Sequence, residues 1–157
     1  MQVGDVDEID DLDHQLVLAS RKGDDTRVAV LIDEGASCDA VHDLGDPHGA
    51  GRSAVYWAAR GGHVSTFRLL KSKGADVHAA ADNGITPFMA ATLGGSIQIA
   101  RELKEDGADA GATDNNGCNA VHAACQYGHL DILRALKGWN VDVHATTDIG
   151  HNAVHIA

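Results

Sequence analysis

From residue 53 onward, apolar residues recur at helical spacing with polar residues between them: Val64, Phe67 and Leu70; Ile97, Ala100 and Leu103; Leu130, Leu133 and Leu136. Each triplet predicts a short helix that buries one stripe. These helices start at His63, Ser96 and His129 and end at Gly74, Gly107 and Asn140, residue types that tolerate the left-handed backbone after a helix. Ahead of each lies another helical segment, rich in small apolar residues. Ser53, Thr86, Asn119 and Asn152 are placed to N-cap it, because their side-chain oxygens accept from backbone N–H groups that lack a partner inside the helix. Ala54, Pro87, Ala120 and Ala153 follow at the first helical position, where proline lacks only a donor that would be unpaired anyway. Gly62, Gly95 and Gly128 close these first helices, and Asn83-Gly84 and Asn116-Gly117 are hairpin-turn signals between units.

The succession is periodic. Gly51, Gly84, Gly117 and Gly150 stand 33 residues apart, as do Gly62, Gly95 and Gly128. Gly23 and Gly35 reproduce the 12-residue spacing of Gly62 and Gly74, which makes residues 14–40 a degenerate first copy. A six-residue insertion lies within 42–51; full repeats then span about 51–83, 84–116 and 117–149, and a truncated one spans 150–157. One helix pair cannot cover its own apolar stripe, so the units are expected to stack. Ala58, Ala59, Ala91 and Ala124 fall where neighbouring first helices would meet, and small residues there permit close approach.

These residues closely resemble the ankyrin-repeat family over roughly 14–157. The signature G-x-T-P-L-H-x-A-A-x-x-G-H is met in Gly84-Ile85-Thr86-Pro87-Phe88 and in Val121-His122-Ala123-Ala124; the repeat end is met in Gly74-Ala75-Asp76-Val77-His78-Ala79. The resemblance implies an all-α solenoid of stacked helix-turn-helix units with hairpin loops. There are departures. Proline is kept once and replaced by alanine three times, and the usual Asn near the repeat end is His78, Gly111 or His144, which should weaken the turn there. Glu102 falls at a normally apolar position; its stem is expected to pack while its carboxylate reaches solvent.

Composition narrows the function. The 157 residues carry 12 Lys and Arg against 23 Asp and Glu, a net charge of -11. That argues against nucleic acid and against anionic membrane surfaces, both of which need clustered cations. No apolar run is long enough to span a bilayer, and Met1–Asp5 shows neither the basic nor the apolar part of a secretory signal. Three cysteines without a disulfide spacing favour a reducing, cytoplasmic setting. The charge is uneven: residues 1–13 form an acidic N-terminal tail holding -6, which leaves -5 on the repeats. Asp13 is expected to cap the first helix, and the tail could dock on a basic partner.

The candidate chemistry is absorbed by the repeat. Six of the ten histidines (63, 78, 122, 129, 144 and 155) occupy periodic positions, and equivalent positions in stacked helices lie about 10 Å apart, too far to share one metal ion. His122, Cys125 and His129 form the sharpest local cluster, yet all three are repeat positions. His42, Asp43, Asp46 and His48 belong to the insertion and read as a solvated loop. Cys125 is expected to be buried and inert and Cys118 more exposed, and no basic cluster activates either. The glycines stop helices and do not cradle a phosphate. No catalytic residue, metal or cofactor is therefore expected.

The resemblance further implies that a protein partner binds the hairpin tips and the exposed side of the first helices. By position these are Arg52, Arg60, Asp82, Asn83, Ile85 and Leu93, then Asn115, Asn116, Cys118, Gln126 and Tyr127, then Asp148 and Ile149. Ile85, Leu93 and Tyr127 would make an apolar centre; Arg52, Arg60, Asn115 and Gln126 would make a polar rim. The leading expectation is a protein–protein interaction module with a concave face. The alternative is a structural subunit of a larger assembly, or the recognition part of a longer enzyme or channel, with the uncapped C-terminal repeat as a second docking end.

Overall fold

The computed structural model describes residues 6–42, 44–45 and 51–144, with side chains from residue 11 onward. Among these, the chain forms helices α1 (Val6–Lys22), α2 (Asp25–Asp33), α3 (Ala54–Gly61), α4 (Val64–Ser72), α5 (Pro87–Leu93), α6 (Ile97–Glu105), α7 (Ala120–Tyr127) and α8 (Leu130–Gly138). They come in four helix-turn-helix pairs. The ends follow the chemistry of the caps. Ser53 Oγ accepts from Tyr56 N–H at 3.1 Å, Thr86 Oγ1 from Met89 N–H at 3.2 Å, and Asn119 Oδ1 from both Val121 and His122 N–H. At the far ends, Gly62 and Gly128 are left-handed, and so is Asn140, with φ 58°.

Helices α1, α3, α5 and α7 form one row, each packed on the next; α2, α4 and α6 form a second row whose members approach less closely. Alanine explains the difference. Ala58, Ala59, Ala90, Ala91 and Ala124 are buried in the first row, so its backbones come together without side chains holding them apart. Unequal spacing bends the stack toward the first row and makes that face concave. Between the rows lies the apolar core, led by Leu16, Leu31, Phe67, Leu70, Phe88, Ile99, Leu103, Ile132 and Leu136. Removing such groups from water is worth about 1.5–3 kcal/mol each, which is how nine-residue helices too short to persist alone become stable.

Successive units are also stitched by polar bonds. His63 and His129 occupy N-cap positions but make no side-chain cap. Instead His63 Nε2 lies 2.9 Å from the carbonyl oxygen of Arg21, and His129 Nε2 lies 3.3 Å from that of Leu93, each one unit back. Each ring occupies space over a left-handed glycine, Gly23 or Gly95, where a Cβ would collide with it. Ser96, at the equivalent position, caps its own helix. The hairpins close through Ala81 N–H to Ile85 O at 3.0 Å and Asp114 N–H to Cys118 O at 2.8 Å. Adjacent tips are joined by Asn115 N–H donating to Asn83 O at 3.0 Å.

Three local expectations change. Helix α1 reaches back to Val6, so Asp13 lies within the helix and is not its N-cap; the acidic residues are favourable there because the helix N-terminus carries partial positive charge. Asp13 Oδ1 instead accepts from Ser37 N–H at 2.7 Å. The repeat-end turns do not lack support where Asn is missing: Asp76, Asp109 and Asp142 accept from the backbone N–H of His78, Gly111 and His144. The Glu102 carboxylate is bound by Arg68 of the preceding unit, with Nε at 2.9 Å. The truncated repeat, the N-terminal five residues and most of the insertion lie outside the described residues. Val41 and Ser53 pair across that insertion as an isolated antiparallel bridge.

Two predictions follow from the packing. A Cβ on Gly94 would stand 1.9 Å from the carbonyl oxygen of Arg60, whereas one on Gly138 would meet nothing within 4 Å. Gly94→Ala should destabilise by about 1–3 kcal/mol in urea unfolding, and Gly138→Ala should leave the midpoint unchanged or slightly raised. The second concerns Asp25, whose carboxyl is held below its ordinary value of 3.8 by hydrogen bonds from Ser65 and Thr66 of α4 and by nearby His63, against a small opposing effect of burial. Its folded-state value is depressed, so its contribution is complete above the unfolded value and is lost as pH falls through the folded one. Asp25→Asn should therefore flatten the acid limb of the stability profile below about pH 4, read from urea midpoints across pH.

Candidate partner-binding face

The periodic positions bring the predicted residues into rows across the concave face. Arg52, Ile85 and Cys118 sit one residue before the caps of α3, α5 and α7; Arg60, Leu93 and Gln126 sit near the ends of those helices. Asp82, Asn115 and Asn116 are exposed on the hairpin tips, and Asn83 is half-buried where it accepts from Asn115. Asp148 and Ile149 lie outside the described residues.

Arg52 departs from the expectation of an exposed rim. It is only 9% exposed, and its guanidinium carbon lies 5.2 Å and 5.3 Å from the ring centroids of Tyr56 and Trp57. Arg21 covers Trp57 as well, at 4.9 Å. A planar, weakly hydrated guanidinium is attracted to the electron-rich face of an aromatic ring, and burial strengthens that attraction. The first stretch of the face is thus filled by its own side chains.

The next stretch is open. Where α3 carries Tyr56 and Trp57, α5 carries Met89 and Ala90, and α7 carries His122 and Ala123. The loss of aromatic bulk leaves a cavity of about 150 Å³ whose walls include Ile85, Met89, Leu93, Cys118, His122 and Gln126. Four of these were predicted by position: Ile85, Leu93, Cys118 and Gln126. Tyr127 stands apart from it, 49% exposed, with the Arg60 guanidinium carbon 6.0 Å from its ring centroid and His129 stacked at 6.2 Å. The expected apolar centre is therefore divided. Ile85 and Leu93 join Met89 in the cavity, and Tyr127 pairs with Arg60.

Positional reasoning missed Met89, His122 and Ala123. The change in side-chain size along the period is the signal that could have found them. His122 is the most informative. Its Nδ1 accepts from Asn119 N–H at 3.2 Å and lies 2.9 Å from Asn119 Oδ1. That oxygen already takes two backbone N–H donors, which fill its lone pairs. Where Nδ1 accepts from Asn119 N–H, as in the capping box of α7, the ring proton sits on Nε2. Nε2 is buried and has no hydrogen-bond partner, and so is Arg60 Nη1. Asp114, also in the groove, is engaged: its Oδ1 accepts from Asn116 and Cys118 N–H.

Elsewhere the candidate chemistry is structural. His78 Nε2 faces the carbonyl of Asp106 at 3.2 Å, as His63 and His129 face carbonyls of their neighbours. All three cysteines are half-buried. Burial pushes the Cys125 thiol up from its ordinary value; the Cys38 thiol is pushed up first by burial and then by adjacent Asp39. Among the described residues, no helix is long and apolar enough to cross a membrane.

Comparison with known proteins points one way. A family model described as "Ankyrin repeats (3 copies)" matches residues 16–114, and one described as "Ankyrin repeat" matches 116–148. The chain is 38% identical over 79 residues to the 2-5A-dependent ribonuclease of Mus musculus, a match covering 50% of this chain and 10% of that protein. It is 33% identical over 79 residues to an ankyrin repeat and KH domain-containing protein of Caenorhabditis briggsae, covering 50% of this chain and 3% of that one. The matched segment is thus a small part of both relatives.

The thiol environments carry a prediction of their own. Cys38 and Cys125 should alkylate with iodoacetamide at neutral pH several-fold more slowly than the same cysteines after unfolding in urea, since raising the pKa lowers the thiolate fraction. Mass spectrometry of tryptic peptides would resolve the two.

Proposed function

The chain belongs to the ankyrin-repeat family, and on that premise we propose that it is a protein–protein interaction module whose partner docks on the hairpin tips and first helices. Ankyrin repeats are an interaction fold, not a catalytic one. The observation that carries the reading is the open cavity between Ile85, Met89 and Leu93 on one side and His122 on the other, on a face otherwise filled or engaged. An apolar pocket on one part of the face, and an exposed tyrosine paired with an arginine on another, have the composition of binding hot spots. The surrounding repeats hold it rigid, so little conformational freedom is lost on binding. In this reading the chain has no catalytic role of its own, takes no cofactor and works in the cytoplasm.

A second form of the reading places the same face within a larger protein or assembly, as its recognition part. The small share of each relative that matches, 10% and 3%, supports it.

Affinity capture with the intact chain, followed by mass spectrometry, identifies the partner. Alanine at Arg60, Leu93 and Tyr127 together should then weaken that complex at least tenfold, about 1.4 kcal/mol, with the melting temperature almost unchanged. Undiminished binding would refute the site.

A further inference from the structure

The groove's unmet chemistry identifies the kind of segment it takes. The cavity's 150 Å³ equals about five water volumes and lies below the roughly 300–1,000 Å³ typical of small-molecule sites. That is room for one large apolar side chain. Its floor is apolar, but His122 in its wall, only 3% exposed, carries Nε2 without a hydrogen-bond partner, and Arg60, which lies outside the cavity against Tyr127, carries a buried Nη1 without an acceptor. Arg60 occupies the position in α3 that Leu93, in the cavity wall, occupies in α5. Gly94 has no side chain to stand between Arg60 and Tyr127, so the guanidinium reaches across to that ring.

We infer that the groove binds an extended peptide segment of a partner protein that seats one Leu, Met or Ile side chain between Met89 and Ala123, sets a main-chain carbonyl on His122 Nε2–H, and places an Asp or Glu carboxylate on Arg60 beside Tyr127. This rests on the interaction-module reading and specifies its ligand. A basic segment would offer His122 a main-chain carbonyl too, but would set like charge against Arg60 and leave it without a carboxylate. A nucleic-acid strand fits less well, because the chain's net charge of -11 repels a polyanion and the groove offers one arginine. A single carboxylate meets that arginine at much smaller electrostatic cost.

Panning random linear peptides displayed on phage against the intact chain tests this, with affinities of the enriched peptides measured by calorimetry. Enriched sequences should share one Leu, Met or Ile close to an Asp or Glu. Ala123→Leu, which fills the cavity, and Arg60→Gln, which removes the charge, should each weaken them at least tenfold. The melting temperature of both variants should stay near that of the parent chain. The inference is overturned by an absence of enrichment, by enrichment of basic peptides, by affinities that Ala123→Leu leaves unchanged, or by a single-stranded oligonucleotide that displaces the peptides. If the captured partner is lost from the triple-alanine variant but is indifferent to Ala123→Leu, this inference falls and the module reading stands. If neither change affects the captured partner, both fall.

Discussion

Everything in this structure depends on how closely the first helices of neighbouring units approach. The alanines of α3, α5 and α7 set that distance. With it fixed, the hairpin tips come within reach of each other, so that Asn115 can bond Asn83. The same spacing brings the His63 and His129 rings over left-handed glycines and onto carbonyls of the preceding unit. The low aromatic content is part of the same constraint. A large side chain in place of Ala58, Ala59, Ala91 or Ala124 would hold the helices apart and break these bonds. The core between the rows supplies most of the stabilisation, and the alanine row decides its geometry.

The periodic parts of the chain were readable because each repeat tests the reading of the others. Ser53, Thr86 and Asn119 occur at one position, and only N-capping explains all three. What the period does not govern was less readable. The burial of Arg52 depends on Tyr56 and Trp57, residues found at those positions in one repeat alone. The family resemblance places Arg52 on the exposed face, and its position carries no sign of the two rings that bury it. The cavity is a difference between units: it forms because Met89, Ala90 and Ala123 are smaller than their counterparts in α3. Asp13 shows a further limit. Its acidic neighbours suit an early helical turn as well as a capped start, and the bond to Ser37, 24 residues away, lies outside any local pattern.

One backbone lattice therefore carries two surfaces of opposite character. Around α3, aromatic rings and two guanidinium groups close the face. Around α5 and α7, small residues open it and leave His122 Nε2 unpartnered in the cavity wall. The helices that carry them differ by no more than one residue in length. Specific recognition in such a stack can thus be set by a few side chains at positions that packing leaves unconstrained, while the alanines, glycines and caps maintain the frame.

The substitution of Ser96 for the bridging histidine has a consequence for the stack as a material. Two seams carry an imidazole contact to a carbonyl of the previous unit. The seam between the α3–α4 and α5–α6 units lacks that contact at Ser96; it keeps the His78 contact to the Asp106 carbonyl and adds two ion pairs, Arg68 with Glu102 and Lys71 with Asp106, on side chains 20–55% exposed. Pairs so open to water are weakened by dissolved ions within a screening length of about 10 Å at 0.1 M salt. The preceding seam has a longer pair, Lys73 with Asp33 at 3.9 Å; with two closer pairs, the seam at Ser96 is, of those described, the joint whose strength changes most between dilute and concentrated salt.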